Sequence, residues 1–276
     1  MVIPYPRIPP TIVAFGPIAI RWYSLMYVVA YVLGYRLVLK RIESGRTNLS
    51  RTDLDDLIWY LVFGMLLGAR LAYVFVYGRA EYAVHPLEAF AIWRGGLSFH
   101  GAIAGMAVGI AIFARRRKYP ILEMTDVVAL CGAPGLFFGR IGNFINGELY
   151  GRPTNVPWAM IFPADPLHVP RHPSQLYEAL AEGVVLSALV WWIDGLARAR
   201  GYNRPGLATG VFLVGYAIAR FSLEFTRQPD AQLGLVFGPL SMGQLLSIIM
   251  LAVGLALLSM IYFGRGTSSP IVNRTE

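Results

Sequence analysis

The sequence has few of the residues from which metal centres, disulfides and soluble surfaces are built. It contains one cysteine and four histidines among 276 residues, and only 14% of its residues are charged. A single cysteine excludes a disulfide framework and a zinc cluster, and the histidines form no HExxH pattern. We therefore expect no metal and no cofactor. Since soluble domains contain roughly 25% charged residues, the scarcity of charge indicates a membrane protein.

A nucleophile that forms a covalent intermediate is also missing from the sequence. Cys131 lies inside an apolar segment, and no serine lies in a GxSxG motif. Thiolates that react lie in electropositive, partly exposed surroundings, which an apolar segment does not provide. If the protein catalyses a reaction, we expect the nucleophile to belong to a substrate.

Hydrophobic residues make up 56% of the chain and form seven long segments. A bilayer core about 30 Å thick needs about 20 mostly apolar residues per helix. We therefore predict an all-α integral membrane protein, with one membrane domain built as a bundle of seven transmembrane helices. The predicted spans are 18–39, 57–77, 96–114, 121–138, 175–193, 207–226 and 241–263.

Lysine and arginine are distributed unevenly over the connections between these segments. They are more numerous after the first, third, fifth and seventh segments, which the positive-inside rule assigns to the cytoplasm. The N-terminus is then outside, residues 264–276 form a cytoplasmic tail, and 139–174 form a small irregular extracytoplasmic cap. The net charge of +8 does not form one aromatic-interleaved patch, so we expect no nucleic acid as a partner.

Small residues recur at four-residue spacing in the second and third segments. Gly64 and Gly68 lie in the second segment, and Gly101, Gly105 and Gly109 lie in the third. Such spacing lets two helix backbones approach closely in a membrane. We interpret these glycines as scaffold.

Several ionisable residues lie within the apolar segments. They are Arg70, His100, Arg220 and Glu224, with Tyr216 one helical turn before Arg220. A charge inside a bilayer costs roughly 2.5–3.5 kcal/mol on insertion scales. Each residue alone has a structural explanation, as an intrahelical ion pair or a packed histidine. Together, His100, the 139–154 stretch, Arg220 and Glu224 predict a polar cavity in the outer half of the bundle.

The stretch GRIGNFINGELYGRPT, residues 139–154, follows the fourth apolar segment directly. Arginine forks match phosphate oxygens, and glycines let a backbone approach an anion closely. Asparagine side chains donate to and accept from hydroxyl groups. Because a bilayer supplies phosphate and hydroxyl groups at this depth, the stretch predicts a site for a phospholipid head group.

The same stretch resembles the signature of the prolipoprotein diacylglyceryl transferases. The resemblance extends over most of the chain, with one departure: Ala102 follows Gly101 where the family commonly has a second glycine. The further matching motifs are IRWYSLMY (20–27), GGLSFHG (95–101), RHPSQLYE (171–178) and the Arg220–Glu224 region that ends in RQPD (227–230).

The resemblance implies a reaction and its partners. Phosphatidylglycerol donates its diacylglyceryl group to the thiol of the lipobox cysteine in a prolipoprotein signal peptide. A thioether forms and glycerol phosphate leaves, at the outer leaflet of the bacterial plasma (inner) membrane. Both substrates are amphipathic, so we expect openings between helices toward membrane lipid.

Four residues are expected to carry the chemistry. Arg140 and Arg220 would hold the phosphate and stabilise the leaving group, since charge develops on the departing oxygen. Glu148 would orient Arg140 or act as an acid or base. His100 is the candidate base for the thiol, although an arginine field alone could also favour the thiolate.

A further set of residues is expected to bind substrate or hold the catalytic groups in place. Asn143 and Asn146 would orient the glycerol head group, and Tyr23 and Tyr216 would line the site. Glu224 would hold Arg220, and Gly151 would constrain the backbone at the mouth.

Two other classes of protein remain open from the residues alone. A solute or ion transporter also contains intramembrane Arg–Glu pairs, but it predicts polar groups that reach both faces and an inverted repeat. A non-catalytic scaffold for lipoproteins predicts no arginines matched to phosphate. The polar groups of this sequence cluster toward the predicted outer face, which favours the transferase.

Overall fold

A computed structural model describes residues 2–6, 8–16, 18–92, 95–202, 204–228, 235–238 and 240–263. The described chain divides into two compact units. The first unit contains the residues up to 38 and those from 126 onward, and the second unit contains residues 39–125. The predicted tail, 264–276, and the last two residues of RQPD lie outside the described residues.

The protein is mostly helical. Residues Tyr73–Tyr77 continue α2 as a π-helix, Pro86–Phe90 form a 3₁₀ turn, and Ala179–Val185 join α6 to α7 as a π-helix. The helices are α1 Trp22–Glu43, α2 Arg51–Ala72, α3 Arg79–Val84, α4 Phe99–Arg117, α5 Ile121–Asn146, α6 Ser174–Glu178, α7 Leu186–Ala199, α8 Leu207–Leu223 and α9 Met242–Phe263.

Two short antiparallel hairpins accompany the helices. Strand β1, Thr11–Phe15, pairs with β2, Ile18–Arg21, and strand β3, Leu235–Phe237, pairs with β4, Leu240–Ser241. The prediction of an all-α protein is therefore wrong in this detail. Residues 18–21 were predicted as the start of the first membrane helix, but they form strand β2. The Gly16–Pro17 dipeptide directly before them is a turn signal, which suits a hairpin.

Five helical segments among the described residues are long and apolar enough to cross a membrane. They are 22–43, 51–77, 121–146, 174–199 and 242–263. Helix α8 is apolar but shorter, with 17 residues, and α4 ends in Arg115, Arg116 and Arg117. Each of the seven predicted spans overlaps one of these seven helical segments, while the number of helices that cross the membrane stays a prediction.

Helix α5 extends eight residues further than predicted. Residues 139–146 belong to α5, whereas the sequence predicts them as part of an irregular cap. Two glycines in the run suggested a loop, because each glycine costs about 1 kcal/mol in a helix. Close packing outweighs that cost at Gly142, where a side chain would lie 2.8 Å from a ring carbon of Tyr23.

The hydrophobic core of the first unit lies between α5, α7 and α8. Leu130 and Ala133 of α5, Leu186 and Val190 of α7, and Val211 of α8 are buried against one another. The indole of Trp191 donates to the Leu130 carbonyl at 2.9 Å, which satisfies its polar atom inside this core. This packing fixes α5 and α8, which carry Arg140 and Arg220.

In the second unit, α2 and α4 pack with their backbones in contact. A side-chain carbon added at Gly68 would lie 2.7 Å from the Cα of Gly105, and one added at Gly105 would lie 2.8 Å from the carbonyl carbon of Gly64. The predicted close contact between these two segments is confirmed. Glycine is required at these positions because no side chain fits between the backbones.

Candidate active site

Arg140 lies on α5 and meets two carboxylates from the helical segment that follows residue 173. Its Nε lies 2.8 Å from Glu178 Oε2, and its Nη2 donates to Glu182 Oε2 at 3.2 Å. Both glutamates are fully buried. The π-helix over Ala179–Val185 contains Glu182, and π-helical turns occur frequently at functional sites.

The backbone of this segment lies directly against α5. A side-chain carbon at Gly183 would lie 2.6–3.0 Å from the Cβ, Cα and N of Phe137, so only glycine fits there. Phe137 lies three residues before Arg140, which is almost one helical turn. The close approach brings both glutamates within reach of the guanidinium.

Glu178 joins two guanidinium groups. Besides its ion pair with Arg140, it accepts from Nη1 of Arg227, at 3.1 Å through Oε1 and at 3.3 Å through Oε2. Arg227 follows the end of α8. The carboxylate therefore links α5, α6 and the chain segment after α8 through charge-assisted hydrogen bonds.

Arg220 and Glu224 form the ion pair that their spacing predicts. Arg220 Nη2 lies 2.8 Å from Glu224 Oε2, one helical turn apart at the end of α8. Glu224 Oε1 also accepts from the Ser241 hydroxyl at 2.8 Å. Nη1 of Arg220 is buried and has no hydrogen-bond partner among the described residues, so this cation retains an unused donor group.

Arg140 and Arg220 belong to the same electrostatic cluster. Glu182 and Tyr216 each interact electrostatically with both guanidiniums. Counting Arg227, the cluster contains three guanidiniums, and Glu178, Glu182 and Glu224 supply three carboxylates. A neutral cluster with unsatisfied donors is able to accept an anion.

The end of α5 forms a Schellman turn that organises the next group of site residues. Gly147 adopts φ +68°, its N–H donates to Phe144 O, and the Glu148 N–H donates to Asn143 O. This is the hydrogen-bond pattern of a helix C-terminus that ends in a left-handed glycine. It turns Glu148 back toward the last turn of α5.

Glu148 accepts hydrogen bonds from both predicted asparagines. Its Oε1 lies 2.8 Å from Asn143 Nδ2 and 3.2 Å from Asn146 Nδ2. The Tyr23 hydroxyl pairs with the Tyr27 hydroxyl at 3.0 Å and interacts with Asn143 and Glu148. Four residues chosen from the sequence thus form one hydrogen-bonded group, in which Glu148 is exposed.

Gly151 lies where three chain segments meet. A side-chain carbon there would lie 2.7 Å from His172 Cβ and 2.8 Å from His172 O, and it would also contact Thr226 O. The Gly151 N–H donates to His172 O at 2.8 Å, and the Arg152 N–H donates to Thr226 O at 2.9 Å. Only glycine fits in this arrangement.

A buried ion pair holds the segment between α5 and α6. Arg171 donates from Nε to Asp165 Oδ2 at 2.6 Å and from Nη2 to Asp165 Oδ1 at 2.9 Å. Its Nη1 donates to Gly151 O at 3.3 Å, and its guanidinium lies 4.8 Å from the Tyr150 ring centre. Hydrogen bonds from Arg171 hold the pKa of Asp165 below its ordinary value, and burial lowers the pKa of His172.

His100 belongs to the second unit. It is exposed at the start of α4, with its ring centre 5.9 Å from that of Phe99. Ser98 caps the helix by accepting from the Gly101 N–H at 3.3 Å, and the Ser98 N–H donates to Ala69 O at 3.0 Å. The other predicted site residues lie in the first unit, so the role of His100 stays a prediction.

Arg70 holds the loop that precedes His100. This buried guanidinium donates to four backbone carbonyls at 2.7–3.0 Å and lies 5.1 Å from the ring centre of Tyr82. Its partners are the carbonyls of Glu88, Ala89, Gly95 and Gly96. Arg70, whose place in an apolar segment the sequence left unexplained, is therefore satisfied by backbone.

Five further residues organise the site although no pattern in the sequence assigned them that role: Glu178, Glu182, Arg227, Asp165 and Arg171. A signal was present for the first two, because two carboxylates spaced i, i+4 lie within the predicted span 175–193. Charged residues in a span are functional or structural by default. In the described part of the chain, no group of three His, Cys, Asp or Glu residues has a metal-binding arrangement.

A half-open cavity of about 490 Å³ lies beside the last turn of α5. Asn146 lines one side of it, so the cavity borders the asparagine–glutamate group. The other walls are mainly apolar and come from the N-terminal segment, α5 and the loop before residue 165. They comprise Tyr5, Ile8, Pro9, Pro10, Ile145, Gly147, Pro163 and Ala164.

Comparison with known proteins gives one consistent result. Residues 10–260 match the family described as prolipoprotein diacylglyceryl transferase. The phosphatidylglycerol–prolipoprotein diacylglyceryl transferase of Bordetella bronchiseptica is 49% identical over 254 residues, which cover 92% of this chain and 95% of that protein. Proteins of the same name from Nitratidesulfovibrio vulgaris and Methylocella silvestris are 49% and 47% identical, covering 92% and 95% of this chain and 94% and 96% of their own lengths.

Proposed function

The chain belongs to the prolipoprotein diacylglyceryl transferase family, and on that premise we propose what each part of its buried polar cluster does. It is a multi-pass protein of the bacterial inner membrane and transfers the diacylglyceryl group of phosphatidylglycerol to prolipoproteins. We propose that the acceptor is the thiol of the lipobox cysteine in the signal peptide. A thioether forms and glycerol phosphate leaves.

Arg140 and Arg220 bind the phosphodiester of phosphatidylglycerol. The sulfur attacks a saturated carbon, so the C–O bond breaks with its electron pair on the phosphate oxygen. Preorganised cations aimed at that oxygen stabilise the transition state more than the ground state. Glu178 and Glu224 hold the two guanidiniums in position, as their ion pairs at 2.8 Å support.

Asn143, Asn146 and Glu148 orient the glycerol head group. The Asn146 amide oxygen has no hydrogen-bond partner among the described residues, and Glu148 is exposed, so the group offers acceptors to hydroxyls. Tyr23 and Tyr216 line the site, and Gly151 keeps the backbone tight at its mouth. His100 is the sequence-based candidate for the acceptor of the thiol proton.

The site faces the outer leaflet, below a cap formed by the segment between α5 and α6. The N-terminus lies outside and the C-terminus lies in the cytoplasm, which the distribution of lysine and arginine supports. Phosphatidylglycerol and the signal peptide enter laterally between helices, since both have apolar parts that remain in the bilayer.

One observation carries this proposal: Glu182 and Tyr216 interact with both Arg140 and Arg220. The test is to incubate the purified protein with phosphatidylglycerol and a lipobox peptide and to follow the peptide's mass. We expect a diacylglyceryl adduct with the wild type, and Arg140→Ala or Arg220→Ala should lower the rate by about 10²-fold or more.

Arg198→Ala is the matched control. Arg198 pairs with Asp194 one helical turn away, at 3.1 Å, as Arg220 pairs with Glu224, but it lies at the end of α7 that is predicted to be cytoplasmic. The control variant should keep wild-type activity. No adduct with the wild type under conditions where phospholipid binds would contradict the proposed function, and equal loss in all three variants would contradict the assigned roles.

A further inference from the structure

The thiol proton needs an acceptor close to the two phosphate-binding arginines. A free cysteine has a pKa near 8.5 and is mostly protonated at neutral pH. The sulfur attacks the carbon that is bonded to the departing phosphate oxygen, so sulfur and phosphate are separated by one carbon atom. If the proposed function is correct, a side chain of the arginine cluster is therefore within reach of the thiol.

Glu182 is the carboxylate of this cluster with an unused oxygen. Its Oε2 accepts from Arg140 Nη2 at 3.2 Å, whereas Oε1 is buried and has neither a hydrogen bond nor an ion pair among the described residues. The side chain is fully buried. A buried hydrogen-bond acceptor without a partner costs free energy. Protonation of Oε1 would remove that cost.

The other carboxylates near the arginines are occupied. Glu178 uses both oxygens for Arg140 and Arg227. Glu224 Oε1 accepts from Ser241 and its Oε2 pairs with Arg220. Glu224 Oε2 has no hydrogen bond but is ion-paired with Arg220. Among the oxygens of these three carboxylates, Glu182 Oε1 is therefore the one with neither a hydrogen bond nor an ion pair among the described residues.

The charge balance of the cluster favours proton transfer to Glu182. Three guanidiniums and three carboxylates are neutral together, and the bound phosphodiester adds one negative charge. A second negative charge forms on the phosphate when the C–O bond breaks. If Glu182 takes the thiol proton at that moment, the total charge stays constant, and negative charge moves from a carboxylate to a phosphate that two arginines hold.

We infer that Glu182 accepts the proton of the lipobox cysteine as its sulfur attacks phosphatidylglycerol. The S–H bond breaks and its proton goes to Glu182 Oε1, while the sulfur electron pair forms the S–C bond. The C–O bond breaks and its electron pair leaves with glycerol phosphate. Carboxylate, phosphodiester and thiol become carboxylic acid, phosphate monoester dianion and thioether. Water then takes the proton from Glu182 before the next turnover.

A selenocysteine lipobox peptide separates this role from a structural one, because a selenol is already ionised at neutral pH and needs no acceptor. Glu182→Gln keeps the size of the side chain and an oxygen that accepts from Arg140. With the cysteine peptide, we expect the variant's kcat to fall by about 10²-fold or more, with little change in KM for phosphatidylglycerol. With the selenocysteine peptide, most of that loss should disappear.

Arg140→Ala and His100→Gln are the companion variants. Arg140→Ala should remain slow with both peptides, because the leaving group still lacks its cation. Wild-type rates of Glu182→Gln with the cysteine peptide, or an equal loss with both peptides, would overturn the inference. So would a loss in His100→Gln that the selenol rescues, since the acceptor would then be the histidine.

Two further outcomes keep the inference separate from the proposed function. If Glu182→Gln does not fold, Glu182→Asp tests the same point: it keeps the charge but withdraws the carboxylate by one methylene, and it should slow the thiol reaction more than the selenol reaction. Equal slowing would overturn the inference. A wild-type protein that modifies neither peptide would instead refute the proposed function.

Discussion

At the scale of single residues, the decisive contacts are made by charged side chains that are buried away from water. Glu178 is fully buried and holds Arg140 and Arg227 together. Removing one member of a buried ion pair leaves an uncompensated charge, which costs far more than the pair itself contributes. The same logic applies to Asp165 and Arg171, whose bidentate contact fixes the turn around Gly151.

Glu178→Ala should therefore reduce stability strongly. Two guanidiniums would lose their shared carboxylate, and we expect a loss of about 3–5 kcal/mol, measured as the unfolding midpoint of purified protein in detergent. Glu178→Gln should lose less, because its amide oxygen still accepts from Arg227. Glu81→Ala, at an exposed position of α3, is the control. A midpoint equal to that of the control would refute the bridging role of Glu178.

At the scale of elements, glycine decides how closely helices approach. The α2–α4 contact uses four glycines whose backbones touch, Gly64, Gly68, Gly101 and Gly105, while Gly135 of α5 has no atom within 4 Å of the place where a side chain would begin. Glycine is therefore required by the packing of α4 against α2, whereas at Gly135 of α5 a side chain would meet no neighbouring atom. Sequence spacing identified the first case, because a four-residue repeat marks one helix face.

Gly105→Ala and Gly135→Ala form a matched pair that tests this difference. The added methyl at Gly105 would lie 2.9 Å from the Cα of Gly68, which is backbone and cannot turn away. We expect a lower unfolding midpoint. The methyl at Gly135 meets nothing, and alanine restricts the unfolded chain, so we expect about 0.4–1 kcal/mol of stabilisation. Equal effects of the two changes would mean that α2 and α4 are not in backbone contact.

The segment between α5 and α6 should respond to acid through Asp165. Its pKa in the folded protein is held below the ordinary value of 3.8, first by the hydrogen bonds from Arg171. A lowered folded pKa contributes stability that is present above the unfolded pKa and is lost as pH falls through the folded pKa.

Asp165→Asn tests that contribution. The unfolding midpoint of the wild type should fall as pH is lowered from about 5 to about 3, whereas the variant should start lower and change less over the same range. Glu81→Gln serves as the control, since its carboxylate is exposed. A wild-type and a variant curve that run parallel through this range would contradict the assignment.

At the scale of the whole molecule, orientation in the membrane follows from the uneven distribution of basic residues. The single native cysteine makes this testable. Cys131 contacts Gly34 within the first unit, and no step of the proposed reaction uses it, so Cys131→Ala should retain activity. New cysteines are then the only thiols in the chain.

Leu167→Cys and Arg200→Cys in this background report the two faces. Both positions are exposed, one between α5 and α6 and the other after α7. A membrane-impermeant maleimide added to intact bacterial cells should label the first variant, and the second only after permeabilisation. The opposite pattern would invert the proposed topology. Loss of activity in Cys131→Ala would instead indicate a covalent mechanism.

Hydropathy and local motifs are enough to identify the long helices and the family from the chain alone. Each membrane helix partitions into a bilayer as a separate segment, so hydropathy and length identify it, although they do not set its ends. The 139–154 signature is contiguous in the chain. Glu148, Asn143 and Asn146 lie close in sequence, which made their association predictable. The ion pair of Arg220 and Glu224 followed from a spacing of one helical turn.

Which charges meet across helices depends on how the helices pack. Arg140 and Glu182 are separated by 42 residues, and no local pattern specifies that Gly183 packs on Phe137 and brings them together. The helical state of residues 139–146 was likewise decided by packing, since the glycines alone favour a loop. A buried charge accepts any counter-charge that the fold brings near it, so the sequence shows that a partner is needed and the packing of helices selects which one.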